Sequence, residues 1–238
     1  MRDLFFWVLP LVVTGALFCG GAAAPAADTP VFSGPQPSEP LPQLLVRVLF
    51  RDTTEEGQLT DLAEVTPDAP HHLIVFVHQL TRPSIGLVRP LLQYAAGRRD
   101  DGLQPALVFL GEDATALEQR VTRARHALPG NVPVAISQAG IEGPGAYGLN
   151  RNVTLTVLVA SEGTVKANFA IIDPNIPIHL PQMLAAVCEV IGGEPPPIER
   201  LLRAGNLRMR RRGSAAGNPL RPAEQNPAAE TPAAGAGG

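Results

Sequence analysis

The chain has 238 residues, a length that suits one domain with flanking material. Its hydrophobic fraction of 45% is enough for a buried core, while 25 Pro and 23 Gly gather toward the two ends. A net charge of -3 argues against general nucleic-acid binding.

Residues 1–26 read as a secretory signal. Arg2 gives a positive start, Leu4 to Cys19 is an apolar stretch short of a typical membrane span, and Ala24-Pro25-Ala26 offers a cleavage site. Phe18, bulky where a lipoprotein signal needs a small residue, argues against lipidation of Cys19. The expectation is an exported protein, periplasmic or extracellular, with no membrane span after signal cleavage; an uncleaved N-terminal anchor is the alternative. Cys19 then leaves with the signal and Cys188 is the single thiol, so no intramolecular disulfide and no cysteine-based zinc site can form. Residues 27–43, rich in Pro and Ser, read as a linker.

The domain spans 44–204. Leu45 to Phe50 is a short strand, and Gly57-Gln58-Leu59 begins a weaker second one. His72 to Val77 is a continuous apolar run, the mark of a strand buried on both faces. A helix follows from about Ser84 with Val88, Leu91, Leu92 and Ala95 on one face; Pro90 should kink it or mark an irregular first turn. Pro105 to Leu110 is the next buried strand. Asp113 then caps a helix with the stripe Leu117, Val121, Ala124 and Leu128.

Val132 to Ser137 is a third core strand. Past a Gly-rich loop, Val153 to Ala160 and Thr164 to Ile172 flank the hairpin signal Ser161-Glu162-Gly163. The last helix has Pro181 in its first turn, a stripe of Leu180, Leu184, Val187 and Ile191, and Gly192 just past its end. Residues 205–238 lose all periodicity: the basic run Arg208 to Arg212 leads into a Pro/Ala/Gly tail whose composition predicts disorder. That run reads as a solvated junction, although it has the charge to touch an anionic polymer.

Strands alternating with helices require a parallel α/β sheet with helices packed on it, to which the hairpin adds antiparallel strands. Three short stretches then bear on family. Thr81-Arg82-Pro83-Ser84, within HQLTRPSIG, follows the first long buried strand and opens the first helix. Tyr147-Gly148-Leu149 leads to Val153-Thr154-Leu155, and Glu162-Gly163 forms the hairpin turn. In this order they resemble a thioredoxin-like domain of the TlpA/redoxin kind over Leu44 to Gly193, with Thr81 to Ser84 at the place of the Cys-x-x-Cys motif.

The resemblance implies a central mixed β-sheet flanked by helices, and a substrate groove lined by Thr81, Arg82, Pro83 and Ser84 and by Gly148 to Thr154, Val153 and Thr154 included. It also exposes two departures: both active-site cysteines are absent, and Val153 stands where the family has a cis-proline. Disulfide exchange needs a thiolate and a second sulfur, which hydroxyls do not replace. The expected function is therefore that of a redox-inactive, non-catalytic binding or scaffold protein for an unknown protein, peptide or small anionic ligand, without cofactor, metal or specific nucleic acid. The alternative is an enzyme acting through Cys188 and a partner's thiol, or through Ser84 or Thr81 activated by His78.

The remaining motifs read blandly. Gly143-Pro144-Gly145-Ala146-Tyr147-Gly148 fits G-x-G-x-x-G, but a strand follows it where a dinucleotide site needs a helix. Asn152-Val153-Thr154 is a sequon at the start of a sheet strand. His71, His72, His126 and His179 lack carboxylates at metal-ligand spacing, and Cys188 falls on the apolar face of the last helix.

Overall fold

The computed structural model describes residues 31–50, 57, 59–62 and 69–203. The expected signal (1–26), the Arg208 to Arg212 run and the tail lie outside the described residues.

The continuous apolar runs form the middle of one sheet because both of their faces need cover. β3 (His71–Val77) pairs parallel with β4 (Leu103–Phe109) and antiparallel with β6 (Leu155–Ser161). β5 (Val134–Ile136) adds to β4 in parallel, and β1 (Leu45–Phe50) adds to β5 antiparallel. β2 (Leu59–Asp61) and β7 (Thr164–Ile171) close the two edges, giving the order β2-β1-β5-β4-β3-β6-β7. Glu162 (φ 52) and Gly163 (φ 70) make the two-residue turn between β6 and β7, both in the left-handed region that such hairpin turns require.

α1 (Arg82–Ala96) joins β3 to β4, α2 (Ala114–Arg123) joins β4 to β5, and α3 (Ile176–Ile191) follows β7. Both crossovers step the same way across the sheet, so their right-handedness puts α1 and α2 on the same face. α3 packs there too, and the period-2 alternation of β3 shows the result. Leu73, Val75 and Val77 enter the core shared with Leu87, Leu91, Val121, Leu184 and Val187, while Ile74 and Phe76 face the other way. This is the thioredoxin-like arrangement: β3-α1-β4 followed, after α2 and β5, by the β6-β7 hairpin and a closing helix.

No α-helix among the described residues covers the opposite face. Loops and a short 3-10 turn over Gly145–Tyr147 do so instead. Tyr147 lies buried edge-on against Phe76, with ring centroids 5.2 Å apart, and its hydroxyl donates to the Pro42 carbonyl at 2.7 Å. The stretch expected to be a linker is, from Val31 on, part of this cover. Ser33 is buried, Ser38 N–H donates to Val165 O and Leu41 N–H to Gly163 O, so residues 38–41 extend the sheet beyond β7. Composition misled because prolines that break regular elements are well suited to an edge strap that needs few backbone donors.

Three local expectations need correction. The N-cap of α1 is Thr81, which puts Pro90 in the helix interior rather than in its first turn. α3 starts at Ile176 under an Asn175 cap, which leaves Pro181 in its interior; Pro177 occupies the first turn. α2 ends at Arg123, and Leu128 reaches the core from beyond a short 3-10 turn over Arg125–Ala127.

Candidate functional site

The place of the expected active site is the β3–α1 junction. Thr81 is extended (φ -116, ψ 164) and forms a capping box with Ser84. Ser84 N–H donates to Thr81 Oγ1 at 3.2 Å, and Thr81 N–H donates to Ser84 Oγ at 2.9 Å. The Ser84 hydroxyl faces the carbonyls of Thr81 at 2.8 Å and Gln79 at 2.9 Å, and Thr81 Oγ1 donates to Ser84 Oγ at 3.1 Å. Ser84 is 0% exposed. Its oxygen is saturated by the helix start, so the arrangement organises backbone and leaves no lone pair aimed at a substrate.

His78 turns to the other side of the sheet. It is 7% exposed, and its Nε2 lies 3.0 Å from Thr156 Oγ1, which in turn lies 2.6 Å from Ser33 Oγ. Burial holds His78 down at about 4, and the Ile141 backbone beside the ring offsets part of that effect. The ring is therefore neutral at pH 7, and its nitrogen bonds a threonine of β6. The base needed to activate Ser84 is committed elsewhere. Cys188, 5% exposed, sits on α3 with Sγ 3.2 Å from the Tyr94 hydroxyl of α1. Burial, then the Cys188 contact, pushes Tyr94 up to about 12. That thiol faces the core and does not join Thr81 or Ser84.

What does open at the α1 N-terminus is a groove of about 510 Å³. Thr81 and Arg82 stand at its head, and half-buried Ile85, Gly86 and Arg89 with buried Pro90 line it along α1. Ile176 of α3 and Leu201 and Leu202, from the helical turn over 198–203, form the facing wall. Arg82 is exposed, and among the described residues no acidic side chain lines the groove. Gly86 keeps it wide: the nearest atom to a Cβ built there is Ile176 Cδ1, at 3.7 Å.

Of the residues expected to line a groove, Thr81 and Arg82 do so, Pro83 is exposed beside them, and Ser84 lies beneath. Val153 and Thr154 are buried; Thr154 Oγ1 donates to Ile172 O at 2.6 Å, and its own carbonyl receives the N–H groups of His78 and Gln79. They fasten β6 to its neighbours and do not face the groove. Sequence reasoning missed Ile176, Leu201 and Leu202; the apolar pair following Pro195-Pro196-Pro197 was the available signal. Among the described residues no three His, Cys, Asp or Glu side chains gather closely enough to hold a metal ion, and none of the helices is long and apolar enough to cross a membrane.

No family model matches the sequence, and no curated protein matches it. Solved structures do resemble the fold. An uncharacterized conserved protein from Geobacillus kaustophilus superposes with a TM-score of 0.53 at 14% identity, over 72% of this chain and 91% of that one. An uncharacterized thioredoxin-like protein from Porphyromonas gingivalis gives 0.46 at 16% identity, over 67% and 97%. A thiol:disulfide interchange protein from Bacteroides sp. gives 0.46 at 13% identity, over 68% and 93%. Likeness at these identities concerns the backbone alone. The chain has the thioredoxin-like fold, and Thr81 and Ser84 open the helix that follows its central strand β3.

Proposed function

We propose that the protein is an exported, non-catalytic thioredoxin-fold domain that binds its ligand in the groove along α1. The observation that carries this reading is the state of the two hydroxyls: Thr81 and Ser84 are locked in a capping box, with His78 bonded to Thr156 and Cys188 turned into the core. Among the described residues neither a thiol pair nor an activated hydroxyl is available, whereas an open, mostly apolar groove with a cationic head is. The ligand class in this reading is a protein, a peptide or a small anion.

Two measurements test it. In a dithiothreitol-driven insulin reduction assay the wild type should add nothing to the uncatalysed rate, and turnover above that rate overturns the non-catalytic half. A photo-crosslinking residue at 82 should capture a partner from the native extracytoplasmic fraction while one at Thr115, on α2, does not. Equal capture at the two positions removes the groove from the reading. Mass spectrometry of the protein from its source tests export: the mature chain should begin near Ala27, and an intact Met1 in a membrane fraction refutes cleavage.

A further inference from the structure

The groove's chemistry is specific enough to narrow the ligand. Its walls are aliphatic: Leu80, Ile85 and Pro90 on one side, Ile176, Leu201 and Leu202 on the other. Its ionisable lining residues are Arg82 and Arg89, both cationic. The uncharged polar side chains are Thr81 and Gln93, and Thr81 is engaged in the capping box. A peptide laid in such a groove would bury backbone N–H and C=O groups against walls with almost no partners for them, a cost for every unpaired group. An alkyl chain has no such groups. A cation at the head with aliphatic walls below it matches a molecule with one anionic end and one long apolar end.

The chain's own C-terminal segment fits poorly. It follows Arg203 and carries Arg208, Arg210, Arg211 and Arg212, which the exposed Arg82 guanidinium would repel.

We infer that the groove is a binding site for a long-chain alkyl carboxylate, whose carboxylate meets the Arg82 guanidinium and whose chain runs along Ile85 and Gly86 toward Leu201. A volume of about 510 Å³ lies within the range of small-molecule sites, roughly 300–1,000 Å³. Gly86 contributes by leaving space: a helix interior favours alanine, and here the missing side chain keeps the floor open between Ile85 and Ile176. The inference rests on the groove-binding reading above and adds the chemical class.

Isothermal titration of the protein with dodecanoate, below micelle formation, provides the test, with dodecanol and dodecyltrimethylammonium as neutral and cationic comparators. Dodecanoate should bind saturably at one site, and shortening the chain should weaken it about two- to fourfold per methylene removed. Arg82→Glu, at an exposed position, should weaken dodecanoate at least tenfold and leave dodecanol within about twofold. Gly86→Phe should abolish binding of both; circular dichroism confirms that each variant is folded, and Arg82→Glu alone suffices if Gly86→Phe is not. Absence of saturable binding, binding unaffected by Arg82→Glu, or equal affinity for the cationic amphiphile overturns the inference. If dodecanoate fails while selective crosslinking at 82 persists, the ligand class falls and groove binding stands. If both fail, groove binding falls as well.

Discussion

Thr156→Val is a sharp perturbation of this fold because it removes one oxygen and little volume. Thr156 is 0% exposed, and its hydroxyl holds Ser33 Oγ at 2.6 Å and His78 Nε2 at 3.0 Å. Valine fills the same space, so no cavity opens and the loss is polar. Two hydrogen bonds at about 1 kcal/mol each disappear. Their partners suffer unequally. Ser33 Oγ still accepts from Asn150 N–H at 3.0 Å, whereas the His78 ring loses its one side-chain partner, at Nε2. Adding about 1 kcal/mol for that stranded ring gives a total of roughly 2–4 kcal/mol, a large share of the ~5–15 kcal/mol of a typical domain. In urea, with a slope of about 2 kcal/mol/M, the midpoint should fall by roughly 1–2 M at unchanged slope. Ser33→Ala in the same background should cost less than it does alone, because the two share a bond. A loss below about 0.5 kcal/mol, or strict additivity of the pair, would refute the view that this chain of hydroxyls and imidazole fastens the residue 31–44 strap to the sheet.

Three further outcomes follow from the same geometry. Thr81→Cys with Ser84→Cys places two sulfurs where oxygens now stand 3.1 Å apart, so the double variant should form an intramolecular disulfide in air, read by mass as the loss of two hydrogens; persistent free thiols contradict the site geometry. Gly86→Ala should stabilise by about 0.5–1 kcal/mol, seen as a higher urea midpoint, since the added methyl meets Ile176 Cδ1 at an ordinary 3.7 Å; destabilisation would mean the helix is strained there. His78 has a folded value of about 4 against 6.5 unfolded, so between these the unfolded chain binds more protons; stability is full above pH 6.5 and falls by up to about 3 kcal/mol as the pH drops to 4, and a His78→Gln variant with an undiminished slope excludes this histidine as the cause.

The sheet was legible in the sequence because its central strands are buried on both faces and therefore read as unbroken apolar runs. Leu45–Phe50 was located to the residue, and the left-handed Glu162-Gly163 turn was announced by its composition. Helix ends were less legible. Ser84 and Thr81 are both N-cap residue types, and only the extended backbone at Thr81 decides between them. Pro181 suggested a helix start because a first-turn position is the usual refuge for proline, yet Asn175 and Pro177 had already begun α3. The site was half legible. Thr81 and Arg82 follow from chain order, but the facing wall comes from residues more than ninety positions away, and neither Ile176 nor Leu201 carries a local mark of that role. Val153 and Thr154 are adjacent to the junction in topology and still face inward, a distinction of side-chain direction that a motif does not encode.

The strap also sets an order of events. Ser33 meets Thr156 across 123 positions, and Asn168, which donates to the carbonyls of Ser33 and Pro35, lies farther along still. The 31–44 strap thus waits for β6 and β7 before it finds its place on the sheet. Contacts of such long span close late and slowly.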